Sequence, residues 1–346
     1  MGTFAKRAER LLRRCVLWLL SRRSRPTSET MISTLSPSPS ILLIRPDRIG
    51  DAIITTPTIQ LLRQRFPDAT IGLLLGAKNA AVAELMPEIN RTHLLPVSAA
   101  GALKVMGQIR GEVYDVAINL VANDSASATA IAAASGAKWK IGFAGESSNI
   151  YDVAIPRPTG PMHIVRETSL LLAPFGIPPI GPQPSGDHER LRVRLKTESN
   201  AGTMVVLNIS GSEPSKYWGT EQFVGLGRLL GVLGMQVAVA CKPSDGALAE
   251  HIANKAEVQL IPSTPSFAQF AEYLADQAGM IVTPDTSIVH LSAALGKRTV
   301  VLAADANSIA AWQPWGVPFR VVDGKGDLAA ITPQSVLKPI FELLMP

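Results

Sequence analysis

Residues 41–75 read ILLIRPDRIGDAIITTPTIQLLRQRFPDATIGLLL. Ile41–Ile44 is a short unbroken apolar run, Thr56–Arg65 carries apolar side chains at helical spacing, and Thr70–Leu75 is a second apolar run. Unbroken rather than alternating apolar runs suit strands buried on both faces, and a strand-helix-strand succession joins parallel strands. The pattern continues with strands expected at His93–Val97, Val116–Leu120 and Lys140–Phe143, and helices at Ser125–Ala134 and His163–Phe175. A Pro- and Gly-rich passage, Gly176–Gly186, and a charged stretch to Asn200 interrupt it. It then restarts with strands at Met204–Asn208, Gln236–Ala240, Val258–Ile261, Met280–Thr283, Thr299–Leu302 and Arg320–Val322. Helices are expected between them, near Glu221–Leu233, Asp245–Lys255, Phe267–Ala275 and Ser287–Leu295. The expected class is α/β: two Rossmann-like domains, 41–185 and 200–330, with mostly parallel sheets facing across a cleft. The last helix, Pro333–Leu344 within 331–346, is expected to pack back on the first domain.

Composition agrees with large cores. Of 346 residues, 47% are hydrophobic and 18% charged, which excludes a disordered chain. The net charge of +5 is unevenly placed. Residues 1–30 hold eight basic side chains against Glu9 and Glu29, a sum of +6, so the other 316 residues carry −1. A nucleic-acid binder spreads basic charge over its folded body, and this body is neutral, so no nucleic-acid partner is expected. Two cysteines, Cys15 and Cys241, form no disulfide framework, and a reducing cytoplasm is the expected compartment. The apolar run Cys15–Leu20 is too short to span a bilayer.

At 100° per residue, Phe4, Ala8, Leu11, Leu12, Cys15, Trp18 and Leu19 share one face of the amino-terminal arm. Lys6, Arg7, Arg10, Arg13 and Arg14 share the other. Such a helix either lies in an anionic membrane surface through residues 1–25 or packs on its own domain with its arginines in solvent. Residues 26–40, PTSETMISTLSPSPS, read as a flexible Ser/Pro linker that completes an arm of residues 1–40.

In doubly wound sheets ligands bind beyond the carboxyl ends of the strands, so the loops after strands carry the chemistry. The first such loop, Arg45-Pro-Asp-Arg-Ile-Gly-Asp51, places an acid at a helix start. Asp51 either caps that helix or acts as a general base, with Gly50 allowing close approach of a substrate. The loop Asn208-Ile-Ser-Gly-Ser-Glu-Pro-Ser-Lys-Tyr-Trp218 offers hydroxyls, backbone amides and Lys216, a set that suits a phosphate without being a Walker loop. Its other reading is an ordinary solvated turn with Trp218 in the core.

In Thr283-Pro-Asp-Thr-Ser-Ile-Val-His290, Thr286 is a natural N-cap, Gly296 a natural stop, and the helix start a ready anion site. Asp285 either orients a sugar hydroxyl or favours the helix dipole. His290 is either a core histidine or a ligand contact. Asp245 stands where such folds place an acid for a ribose hydroxyl. No zinc-spaced His/Glu pair, Asp-x-Asp pair, nucleophile elbow or first-strand Gly-x-Gly-x-x-Gly is present, so neither metal nor cofactor is expected.

These loops together resemble glycosyltransferase family 9, the ADP-heptose:lipopolysaccharide heptosyltransferases, over about residues 41–330. The features are Arg-x-Gly-Asp at Arg48–Asp51, His163-x-Val165 with Leu170-Leu171 and Phe175-Gly-Ile177, Pro-Ser-Lys-x-Trp at Pro214–Trp218, and Asp-Thr-x-x-x-His at Asp285–His290. Ser287 stands where the family usually has Gly, and Ala303–Asn307 departs from its pattern after the fifth strand. The resemblance implies a GT-B fold and inverting, metal-independent transfer of a heptose from ADP-heptose. It implies Asp51 as the base for the acceptor hydroxyl, with Arg48 and Gly50 beside it. It further implies Ser210, Ser212 and Lys216 on the diphosphate and Asp285 on the donor sugar. Thr286, Ser287 and the helix start carrying His290 would complete the phosphate site, and Asp245 would take the ribose.

The expected enzyme builds the lipopolysaccharide core on a lipid-linked glycan acceptor, at the inner face of the cytoplasmic membrane. A GT-B-like sugar-nucleotide epimerase and a non-catalytic sugar-nucleotide-binding scaffold are the alternatives; an epimerase needs no acceptor, and intact Asp51 and Lys216 argue against a scaffold.

Overall fold

The computed structural model describes residues 28–146, 148–182, 202–211 and 213–345. The chain divides into two compact units, one mostly before and one mostly after Pro182. Among the described residues each unit is built on a six-stranded parallel sheet. The first contains β1 (Ser40–Arg45), β2 (Thr70–Gly76), β3 (Arg91–Leu95), β4 (Val116–Asn119), β5 (Trp139–Phe143) and β6 (Val153–Ile155), in the order β3-β2-β1-β4-β5-β6. The second contains β7 (Met204–Asn208), β8 (Val237–Ala240), β9 (Gln259–Leu260), β10 (Ala278–Pro284), β11 (Arg298–Ala303) and β12 (Phe319–Asp323), in the order β12-β11-β10-β7-β8-β9. Taken from its other edge, the second order repeats the first. In each sheet the winding reverses beside the opening strand, between β1 and β4 and between β7 and β10. Such a switch point splays the loops apart at the carboxyl ends and leaves a place for a ligand.

The unbroken apolar strands follow from burial on both faces. Ile41 pairs with Ile71 on one side and Val116 on the other, and Ile41 through Ile44 are all fully buried. Strand β6 escaped the sequence reading because its three residues are only half-buried and too short to show a period. Strand β3 starts two residues before the expected His93 and stops ahead of Pro96, which cannot donate to a ladder.

Three expectations about the helices are corrected. Residues Ser28–Thr34 are helical rather than linker, with Met31 fully buried. The helix expected over His163–Phe175 is α-helical only over Ile164–Ser169 and continues as a 3-10 helix over Leu170–Phe175. Pro174 lies inside that second part, where it can supply no amide for an α-helical bond, and Gly176 ends it at φ +70°. The final helix, Pro333–Leu344, belongs to the second unit and puts Val336, Ile340 and Leu343 into its core. There they join Phe223, Leu226 and Leu230 of helix Thr220–Val232, an apolar stripe at helical spacing buried against β7, β8 and β11.

Candidate active site

In the first unit, Arg45 at the end of β1 is 1% exposed and organises the loop that follows. Its Nε donates to the Asp51 carbonyl at 3.0 Å, one terminal nitrogen to the Leu120 carbonyl at 2.5 Å, and the other to Asp51 Oδ1 at 3.4 Å. Asp47 Oδ1 lies 3.4 Å from Arg45 Nε. Behind the loop, buried Asn79 donates to the Arg45 carbonyl and accepts from the Gly76 amide, both at 2.7 Å. Gly76 is required there, because a Cβ would stand 2.3 Å from the Pro46 carbonyl oxygen.

The helix Ile49–Ile54 opens with Arg48, not Asp51, at its N-cap position. Asp51 is the third helical residue, and its carboxylate accepts the Arg48 backbone amide, the reciprocal half of a capping box. Gly50 is buried and Arg48 exposed. Burial pushes the Asp51 carboxyl above its ordinary value of 3.8, and the Arg45 guanidinium is the strongest force opposing that rise. A carboxylate whose proton affinity is raised, and which is still 15% exposed, is suited to accept a proton.

In the second unit, the switch point between β7 and β10 joins two loops. Asn208, buried at the end of β7, donates to the Ser210 carbonyl at 3.2 Å and to Thr283 Oγ1 at 2.9 Å. The Thr283 and Thr286 hydroxyls are 3.2 Å apart, and Thr286 Oγ1 accepts the Ile288 amide as the N-cap of helix Ser287–Ala294. Lys216 Nζ donates to Asp285 Oδ2 at 2.7 Å, with both side chains partly exposed. Ser210 Oγ donates to Asp245 Oδ2 at 2.7 Å and accepts the Lys242 amide at 2.8 Å. Lys242 Nζ reaches the Gly211 carbonyl at 2.9 Å. Gly211 is packed so tightly that a Cβ would lie 2.6 Å from the Lys216 carbonyl oxygen.

Ser210, Lys216, Asp245, Asp285 and Thr286 are thus gathered at the carboxyl ends of β7, β8 and β10, with half-buried Ser287 opening the helix. Ser212 lies outside the described residues. His290 is on the buried side of its helix, its ring 6.1 Å from that of Trp312. Among the described residues no group of three or more His, Cys, Asp or Glu side chains is arranged to hold a metal ion.

Residues 102–327 match the sequence family described as glycosyltransferase family 9 (heptosyltransferase). The chain belongs to glycosyltransferase family 9. Among its relatives, lipopolysaccharide heptosyltransferase 3 of Escherichia coli strain K12 is 26% identical over 286 residues, covering 77% of this chain and 82% of that protein. The crystal structure of a glycosyltransferase family 9 protein from Veillonella parvula superposes with a TM-score of 0.75 at 16% identity, covering 90% of this chain and 99% of that one. Escherichia coli heptosyltransferase WaaC, solved with ADP, superposes with a TM-score of 0.74 at 19% identity, covering 88% and 99%. The fold of this family 9 glycosyltransferase is accordingly GT-B, built from two Rossmann-like α/β units.

Sequence reading passed over three residues that organise these loops, one in the first unit and two in the second. Arg45, Asn208 and Lys242 each stand at or just past a strand end, where a polar side chain is ordinarily read as the edge of an element. Their roles depend on partners 75, 75 and 31 positions away in the chain. One signal was available for Arg45: a cation directly continuing a run of four buried apolar residues needs a partner.

Proposed function

We propose that the enzyme transfers a heptose from ADP-heptose to a lipopolysaccharide core acceptor, with inversion and without a metal. The observation that carries this reading is the Lys216–Asp285 pair beside the capped start of helix Ser287–Ala294, on a chain of the heptosyltransferase family. The names of the relatives, a lipopolysaccharide heptosyltransferase and a heptosyltransferase solved with ADP, support the donor and the acceptor class.

In this reading Asp51 takes the proton of the acceptor hydroxyl as its oxygen attacks the anomeric carbon. The bond from that carbon to the diphosphate oxygen breaks, and ADP leaves with the electron pair. The Lys216 ammonium and the amides at Thr286 and Ser287 meet the charge that builds on the leaving diphosphate. The diphosphate, more highly charged than a single carboxylate, draws Lys216 away from Asp285 and frees Asp285 for a sugar hydroxyl. Ser210 and Ser212 complete the phosphate cradle, Asp245 takes the ribose, and buried His290 supports the helix from behind. Arg48 and Gly50 flank the acceptor.

Calorimetry on Lys216→Ala tests the phosphate site. ADP binding is expected to weaken by about 1.5–3 kcal/mol, the range for hydrogen bonds to charged groups. Unchanged ADP affinity moves the diphosphate elsewhere. Incubation with ADP-heptose and a heptose-deficient core oligosaccharide should add one heptose in inverted linkage, read by mass and by the anomeric NMR signal; no addition overturns the donor and acceptor assignment.

We also assign the reaction to the inner face of the cytoplasmic membrane, reached through residues 1–25, which lie outside the described residues. Among the described residues no helix is long and apolar enough to cross a membrane. Near an anionic leaflet each Lys or Arg contributes about 1 kcal/mol, and the arm holds eight. The truncation belongs before Ser28, because Met31 is buried in the fold. Removing residues 1–25 should abolish sedimentation with anionic liposomes while transfer to a delipidated acceptor persists. Equal sedimentation of both forms would leave the arm a packing helix.

A further inference from the structure

We propose that Arg45 is a positioning residue for Asp51, fixing its backbone with one nitrogen and keeping a positive charge beside its carboxylate with another. This rests on the reading of Asp51 as the base. The geometry distinguishes Arg45 from an ordinary surface partner. It is fully buried, and its guanidinium spreads three donors in three directions, to the Asp51 carbonyl, the Asp51 carboxylate and the Leu120 carbonyl. One side chain therefore ties the end of β1 to the start of helix Ile49–Ile54 and to the segment just past β4, the two strands that flank the switch point. Asn79 clamps the Arg45 carbonyl from behind, so the fork is anchored at its root as well as at its tips.

A buried cation is costly, and an apolar side chain of similar volume would hold a strand end more cheaply. Capping does not require Arg45 either, since the Arg48 amide and the Asp51 carboxylate satisfy each other. What remains unexplained by packing or capping is the charge. The groups facing Asp51 are Arg45 from β1 and Asp47 and Arg48 from the loop. Arg45 also acts on Glu167 of helix Ile164–Ser169, which lies 3.9 Å from Arg157. Asp47 pushes the Asp51 proton affinity up with burial, while Arg45 and Arg48 push it down. Arg48 is exposed and screened by water, so the buried guanidinium is the stronger counterweight. Lysine could supply that charge but not the planar three-way fork, which separates the two parts of the role.

The test uses the full-length protein labelled with 13C at aspartate carboxyls, with the Asp51 resonance identified by its loss in Asp51→Asn. In Arg45→Gln the Asp51 carboxyl should titrate at higher pH than in the unaltered protein. In Arg45→Lys the titration should stay near the original, while turnover of ADP-heptose on core oligosaccharide falls about 10- to 100-fold from lost alignment. ADP binding should be unchanged in both, because the phosphate ligands belong to the other unit. An Asp51 titration identical in Arg45→Gln and the unaltered protein overturns the charge role; unaltered turnover in Arg45→Lys overturns the alignment role and still decides if Arg45→Gln fails to fold. Full turnover in Asp51→Asn would instead overturn the base reading alone, with the titration still testing the coupling.

Discussion

Asp51→Asn is expected to lower kcat by about 10²–10⁴ while leaving ADP affinity unchanged. Asparagine keeps the size of the side chain and can still accept the Arg48 amide through its oxygen, so the helix start survives. What it loses is the ability to take a proton. Stability should not fall with activity. Burial outweighs Arg45 at Asp51, so the folded carboxyl binds its proton more tightly than the unfolded one, whose value is 3.8. The contribution of such a group to stability is complete below pH 3.8 and is lost as pH rises through the higher folded value. Asparagine never ionises and escapes that loss, so at neutral pH the variant should melt at or above the temperature of the unaltered protein. The same shift puts the acid limb of the kcat/KM profile above pH 3.8. Near-normal turnover in the folded variant would reduce Asp51 to a helix cap.

Trp218→Ala should cost the second unit about 3–5 kcal/mol, the range for removing a large aromatic from a core. Trp218 is 1% exposed and meets the Phe223 ring edge-on at 5.0 Å between centroids. Its indole nitrogen donates to the Ile331 carbonyl at 2.9 Å, linking the loop after β7 to the segment leading into helix Pro333–Leu344. Trp218→Phe preserves the ring contact and strands that carbonyl, which should cost about 1–3 kcal/mol. Urea unfolding followed at the second unit reads both values. Because Trp218 also anchors the end of the loop that carries Lys216, ADP binding should weaken in Trp218→Ala even where the unit remains folded. A loss below about 1 kcal/mol in Trp218→Ala would mean that the loop is held from elsewhere.

The two parallel sheets could be read from the chain alone, because strands buried on both faces must be apolar throughout and the helices between them amphipathic. The candidate loops were also legible, since a strand-to-helix turn rich in Gly, Ser, Asp or Lys marks a carboxyl end where backbone amides are free. Thr286 as N-cap and Gly296 as stop needed no tertiary knowledge, for both are set by local backbone chemistry. Whatever depends on a partner far along the chain became visible only in the folded molecule. Trp218 stands in a motif beside Lys216, yet burial makes it a core anchor, and His290 faces inward for the same reason. At Asp51 the sequence shows an acid near a helix start, but only the fold brings the buried Arg45 beside a carboxylate that accepts the Arg48 amide. The destination of the last helix was equally invisible, since its apolar stripe specifies that it must be buried but not against which sheet. Hydrophobic period and turn chemistry are local and can be read along the chain; charge pairing and burial at a site are sums over segments that only folding brings together.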